Sequence, residues 1–253
     1  MMEEPLKQQT DIARAAALIA DPSRAKMLKG LADGRALPAG VLADEAGVSA
    51  ATASVHLAKL VEAGFVTVVA QGRRRYYRLS GPDVCTAMEA LALIAPPLPV
   101  TSLKQSNRTA ALHRARTCYD HLAGQLGVDL MGALLGLGVL TGYDGVHRPE
   151  EAVRDRPASY GGDIRYELTD AGRERLRELG VDADRLPPRR PAVLYCVDWS
   201  EQRHHLAGGL GAALAARLFE LDWVRWGASP RVVQVTDEGA AGLERRLGMK
   251  VTR

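Results

Sequence analysis

The chain has 253 residues, 47% of them hydrophobic, with 33 basic and 30 acidic side chains and a formal net charge of +3. The apolar share can bury one large or two modest cores, and two domains fit the length. So small a net charge excludes a uniformly basic coat, and any DNA contact has to come from a local patch. No apolar run of about 18 residues occurs, and Met1-Met-Glu-Glu-Pro5 lacks a basic segment leading into an apolar core, so a soluble, cytoplasmic protein with no membrane partner is expected. Cys85, Cys118 and Cys196 are few, odd in number and far apart. That argues against a disulfide framework and leaves core thiols, metal ligands or redox groups.

Residues 1–9 are polar and are expected to fray. An alanine-rich helix follows from Asp11 to Ala20, and Asp21 caps a second helix with Pro22 at its first position, carrying Ala25, Met27, Leu28 and Leu31. Pro38 to Ala46 reads as a third helix with Val41, Leu42 and Ala46 inward, and Gly47-Val48-Ser49 as the tight turn of a helix-turn-helix. The fourth helix has Ser49 as N-cap, Val55, Leu57, Leu60 and Val61 at helical spacing, and Thr52, Ser54, His56 and Lys59 on other faces. Gly64 stops it. Phe65, Val66, Val68 and Val69 then form one arm of a hairpin turning at Gln71-Gly72, and Tyr76 to Leu79 forms the other. Arg73, Arg74 and Arg75 stand at the returning side of the turn. A short helix with small polar side chains followed by an arginine-tipped hairpin is how a winged helix grips DNA. The expected DNA-binding residues are Ser49, Thr52, Ser54, His56, Lys59, Arg73, Arg74, Arg75 and Tyr77. Pro82 to Ala95 is a further apolar helix, suited to dimerisation and stopped by Pro96-Pro97.

Asp21 to Leu28, Leu42 to Ser49, Ser54 to Leu60, Glu62 to Val66 and Gly72 to Leu79 resemble the ArsR (ArsR/SmtB) winged-helix repressors, in order and in spacing, over roughly residues 10–95. The resemblance implies a homodimer that occupies a double-stranded inverted-repeat operator and leaves it when an effector, often a metal or metalloid, binds. Ala51 and Val55 replace two positions that are often polar in the family's recognition helix. Gly40 to Gly47 lacks the cysteine pair of the founding members, and the helix after the wing keeps only Cys85 where the family has an Asp/His cluster.

Beyond the linker at Pro96–Leu98 an internal repeat is visible. His121-Leu-Ala-Gly-Gln-Leu-Gly127 returns as His205-Leu-Ala-Gly-Gly-Leu-Gly211, and Tyr166-Glu-Leu-Thr-Asp-Ala-Gly172 is answered by Val233-Gln-Val-Thr-Asp-Glu-Gly239. Each unit reads helix, helix, strand or hairpin, helix, with Val146 to Ala158 and Asp182 to Arg190 as longer connections. The expected fold is mainly α with small β-hairpins (α+β). It comprises an N-terminal winged helix-turn-helix domain over residues 1–98 and a C-terminal effector domain over 99–253, built of two degenerate winged-helix-like halves at about 107–180 and 191–253.

The histidines and cysteines of this second region are its candidate effector set. His113, Thr117 and His121 would share one helical stripe with Cys118 beside it, and the second half offers Cys196, Asp198, His204 and His205. Packed by pseudo-symmetry, the halves would bring His121 to face His205 with Cys118 and Cys196 near. That set suits Zn, Ni or Cu, or the axial ligation of a haem. The plainer alternative is that the thiols are buried hydrophobes and the histidines line an interface. Trp199 and Trp223 belong to a late aromatic cluster that serves either as core or as the wall of an apolar ligand pocket. Gly136-Leu-Gly138 has Glu220-Leu-Asp222 as its repeat partner and reads as a helix-to-strand turn, not a cofactor loop. No nucleophile elbow accompanies Ser200 and His204, so a regulator is expected, not an enzyme. A fused enzyme or a ligand-independent interaction domain is the alternative.

Overall fold

Asp21 fixes the start of the second helix: its carboxylate accepts from the backbone N–H of Ser23 and Arg24, and Pro22 occupies the first turn. The computed structural model describes residues 10–72, 74–96, 99, 102–148 and 165–251. They fall into two units, one ending at Leu31 and resuming over Arg35–Gly81, the other taking Ala32–Gly34 and the chain from Pro82 onward. The expectations for residues 1–9 and Arg73, and much of the linker and of the 146–158 connection, lie outside the described residues.

In the first unit, α1 (Ile12–Ile19) is followed by α2 (Pro22–Gly30), β1 (Leu37–Pro38), α3 (Ala39–Ala46), α4 (Ala50–Glu62), β2 (Val66–Gln71) and β3 (Arg74–Leu79). Met27, Leu28, Leu31, Leu42, Ala43, Ala46, Ala53, Leu57, Leu60, Val66 and Leu79 are its buried apolar residues, so α2, α3 and α4 pack as a trihelical core closed by the sheet. The strand order is β1-β3-β2, with Val66 opposite Leu79 and Gln71 opposite Arg74. Val41 and Val55, expected to point inward, are instead exposed. The buried stripe of α4 is Ala53, Leu57 and Leu60, because the helix turns its small residue, not its branched one, to the close contact with α3.

The second unit opens with α5 (Pro82–Ile94) and α6 (Leu103–Arg114). Its first repeat is β4 (Arg116–Cys118), β5 (His121–Ala123), α7 (Gly124–Gly136), β6 (Leu140–Thr141), β7 (Glu167–Leu168) and α8 (Asp170–Leu179). The second is β8 (Leu194–Val197), β9 (His204–Ala207), α9 (Gly208–Glu220), β10 (Val224–Trp226), β11 (Val233–Val235) and α10 (Asp237–Leu247). The order is therefore hairpin, helix, hairpin, helix: the expected opening helix stands in the first half as α6 but ends at Arg114, before His121, and in the second half it is corrected to the hairpin β8–β9. The helix-to-hairpin turn uses a left-handed residue at equivalent places: Gly64 (φ 75°) in the first unit, Gly138 (φ 65°) and Asp222 (φ 55°) in the repeats. The repeated Thr-Asp-x-Gly has a physical meaning. Thr169 and Thr236 cap α8 and α10 by accepting from Gly172 and Gly239, whose missing side chains let the helix start press on the carbonyls of Val139 and Trp223. Leu126, Leu130, Leu134, Leu210, Leu214 and Leu218 from α7 and α9 fill a core shared by both repeats.

Candidate functional site

The helix-turn-helix is built locally. Gly47 ends α3 in the left-handed region (φ 71°), and Ser49 Oγ then caps α4 by accepting from the backbone N–H of Thr52 at 3.2 Å. Thr52, Ser54, Val55 and Lys59 are exposed along α4, while the buried stripe holds the helix down. Ser54 Oγ donates to the carbonyl of Ala50 and Thr52 Oγ1 lies 2.9 Å from Ser49 Oγ, so both hydroxyls rest on their own helix until a partner is offered. His56 is half-buried, with Nδ1 3.8 Å from Asp21 Oδ1, so it leans on the cap of α2 more than outward. On the wing, Arg74, Arg75 and Arg78 are exposed and Tyr76 and Tyr77 half-buried, with Tyr77 paired to Leu37 of β1. Arg73 lies outside the described residues.

The second unit gathers chemistry of another kind. In β4–β5 Cys118 stands opposite His121, and in β8–β9 Cys196 stands opposite His205, so each repeat supplies one cross-strand Cys–His pair. The hairpins meet with the two imidazole centroids 5.2 Å apart. One ligand atom from each of Cys118, His121, Cys196 and His205 lies within 4.8 Å of the others. Cys196 Sγ is 3.7 Å from His121 Nε2. Cys118, His121 and His205 are buried, and Cys196 is half-buried. The three cysteines are free thiols.

A carboxylate backs each histidine. His121 Nδ1 is 3.4 Å from Asp120 Oδ1, and His205 Nδ1 is 3.1 Å from Asp198 Oδ2. The second contact is an ion pair lacking hydrogen-bond alignment, so neither ring nitrogen of His205 has a hydrogen-bond partner. Asp198 is a hub: it accepts from Arg116 (2.7 Å), the Gly124 backbone N–H (2.7 Å), Ser200 and the Glu201 backbone N–H. Arg116 and Asp198 are fully buried. Burial alone would raise the Asp198 carboxyl, but His205 and Arg116 hold it well below the usual carboxylate range. Burial would lower His205, and Asp198 and Cys118 outweigh it, lifting the imidazole to about 9. His121 is raised likewise, against its burial, by Cys118 and Asp120. The thiols of Cys196 and Cys85 donate toward Cys118 and hold it well below the ordinary thiol range, with His121 adding to the effect. The surroundings of Cys118 thus favour its thiolate form beside two imidazole rings, an arrangement unusual inside a protein core.

Cys85 and Glu89 of α5 also approach Cys118, and Glu89 pairs with buried Arg231, which donates to the Thr117 carbonyl. The sequence carries no sign of this neighbourhood, nor of the part Arg116 plays, since these residues meet only through tertiary contacts. Other expectations are corrected. His113, Thr117 and His121 do not share a helical stripe, because α6 ends at Arg114 and a hairpin follows. His113 packs edge-on to Trp199, whose ring lies 4.4 Å from the Arg116 guanidinium carbon. His204 points away from His205 by strand alternation, stacks on Tyr195 and meets the Tyr166 hydroxyl at 2.6 Å. Trp223 is core, packed under Gly239 and Gly242.

A helix-turn-helix with an exposed second helix, followed by an arginine-bearing hairpin, defines a winged-helix DNA-binding transcriptional regulator. Comparison with known proteins agrees on the class. A family model described as a helix-turn-helix domain matches residues 19–69. The uncharacterized HTH-type transcriptional regulator YdfF of Bacillus subtilis (strain 168) is 38% identical over 242 residues, covering 95% of this chain and 99% of that protein. The chain therefore belongs to the family of HTH-type transcriptional regulators that contains YdfF. Among solved structures, NolR from Sinorhizobium fredii is 29% identical over 33% of this chain and 82% of its own, with a TM-score of 0.31. The cadmium metal-sensor CMTR from Mycobacterium tuberculosis is 28% identical over 36% of this chain and 98% of its own, with a TM-score of 0.29. No helix among the described residues is long and apolar enough to cross a membrane.

Proposed function

We propose that the chain is a cytoplasmic, homodimeric transcriptional repressor whose first unit holds an inverted-repeat operator and whose second unit, with no catalytic step assigned to it, binds an effector that releases the DNA. The observation that carries the DNA half is the exposure of Thr52, Ser54 and Lys59 on α4 together with Arg74 and Arg75 on the wing. Hydroxyls and ammonium on a groove-sized helix can meet base edges, and arginines on a hairpin can meet phosphate. Dimer formation is supported by α1, which has no buried residue although it carries Ile12, Leu18 and Ile19, and by exposed Leu91 and Ile94 on α5. Effector binding is supported by the cysteine and histidine side chains clustered where the two repeats meet, since a ligand held there gains contacts that the free protein lacks. An effector shifts DNA affinity only by binding the DNA-competent and released states unequally.

The test is selection from a random duplex pool with the purified chain. Recovery of an inverted repeat, with half-sites about one helical turn apart, supports the reading. Recovery of no common sequence refutes it.

A further inference from the structure

The reading of the second unit as an effector module leaves the effector's chemistry open, and the hairpin pair narrows it. We propose that Cys118, His121, Cys196 and His205 form a four-coordinate site for one divalent transition-metal ion of the zinc class. The inference rests on the effector reading only for its regulatory meaning, since the site itself follows from geometry.

Two thiolates and two imidazoles are the donor set that borderline-soft, tetrahedral ions select. With bonds of about 2.3 Å to sulfur and 2.0–2.1 Å to nitrogen, tetrahedral coordination puts neighbouring donors roughly 3.4–3.8 Å apart. Cys196 Sγ and His121 Nε2 are already at 3.7 Å, and all four donor atoms lie within 4.8 Å of one another, so small side-chain movements close the set. The donors come in pseudo-equivalent pairs, one Cys–His pair from each hairpin, directly opposite across the strands. Each histidine turns Nδ1 to a carboxylate, Asp120 or Asp198, the outer-shell arrangement that fixes a ligating ring and presents its Nε2. His205 is 1% exposed and its Nε2 has no hydrogen-bond partner among the described residues, an orphaned polar atom that coordination would satisfy. Two thiolates balance the charge of a divalent ion, which suits a buried site.

Cys85 is the thiol left outside this set. It approaches Cys118 with Glu89 but is not one of the four mutually close donors. The site thereby differs from a three-thiol site, which would take Cys85 in place of the histidines.

The experiment titrates Co(II), and in parallel Zn(II), into the purified, chelator-treated full chain, following the Co(II) spectrum and measuring bound metal after desalting. The expected result is one ion per chain, with the intense ligand-field bands of tetrahedral Co(II), a thiolate charge-transfer band, and displacement of Co(II) by Zn(II). His121→Gln and His205→Gln should weaken binding by more than the roughly 10–100-fold that loss of an outer-shell partner costs. Cys118→Ser and Cys196→Ser should also remove the charge-transfer intensity they contribute, and Cys85→Ser should leave the spectrum in place. If a variant fails to fold, the wild-type stoichiometry and spectrum still decide. Absence of bound metal in the wild type overturns the site. So does binding lost in Cys85→Ser but kept in both histidine variants. Affinity for the selected duplex, measured with and without Zn(II), separates the two claims: ion bound with DNA affinity unchanged keeps the site and refutes its sensing role, whereas no ion bound refutes the site and leaves the effector module to another ligand.

Discussion

Gly211 and His121 belong to different repeats, yet a Cβ placed on the glycine would come within 3.2 Å of the histidine Cβ. Reciprocally, a Cβ placed on Gly127 would lie 3.4 Å from the Cβ of His205. Each repeat's helix thus crosses the other repeat's hairpin, α9 over β5 and α7 over β9, and a glycine at the crossing lets them approach. This exchange brings the two Cys–His pairs face to face.

Alanine at either crossing should loosen that arrangement. The added methyl would lie 2.5 Å from the Leu122 carbonyl oxygen in Gly127→Ala and 2.7 Å from that of Leu206 in Gly211→Ala, and both are backbone atoms that cannot swing aside. The expected cost is about 1–3 kcal/mol each. Thermal unfolding should show a melting temperature lower by roughly 2–4 °C per kcal/mol. An unchanged transition would mean the crossing is looser than the contacts indicate.

Arg116 and Asp198 form an ion pair with neither side chain exposed. Asp198→Ala leaves the guanidinium buried without its carboxylate and should destabilise the chain by about 3–5 kcal/mol. Combining it with Arg116→Met removes the stranded charge, so denaturant unfolding of the double variant should recover part of the loss. Costs that simply add would show that the two residues act independently.

Ser49→Ala removes the side-chain cap of α4, whose Oγ accepts from the Thr52 backbone N–H. The expected loss is about 1 kcal/mol, and Ser49→Gly should cost only a few tenths. Equal losses from the two, read by chemical denaturation, would mean that the hydroxyl is not the stabilising group.

The first unit was legible almost throughout, because its signals are local: Asp21-Pro22 to start a helix, Gly47 and Gly64 to end two, Gln71-Gly72 to turn the hairpin. Val41 and Val55 misled because helical spacing does not say whether a branched or a small side chain meets the neighbouring helix. In the second unit the repeat revealed that His121 and His205 are equivalent, and pseudo-symmetry then placed them together. The secondary structure around them was not legible. Strands of three or four residues leave too little alternation to read, so the spacing around His121 suggests a helix, and His204 reads as a companion of His205 although the strand turns them to opposite sides. Asp198, Arg116 and Cys85 join the cluster through tertiary contacts alone.

Dimer formation through α1 is testable by itself. Ile12 is 75% exposed and Leu18 and Ile19 are only half-buried. Ile12→Asp with Leu18→Asp places charge on a face that a second copy would cover. Sedimentation should show a shift from dimer to monomer, with weaker binding to a duplex containing two half-sites. A dimer that persists in the double variant would locate the interface elsewhere.

The measurement that bears most directly on the chain as a DNA-binding regulator is fluorescence anisotropy on a duplex recovered by selection, across a salt series, for the wild type and for Arg74→Ala/Arg75→Ala. Both arginines are exposed on the wing and absent from the buried core, so the variant should fold normally. Each phosphate contact contributes about 0.9 to the slope of log K against log salt, so losing two per protomer should lower the slope by about 2 per protomer and weaken binding at every salt concentration. Affinity and slope unchanged from the wild type would contradict the assignment of this hairpin to DNA.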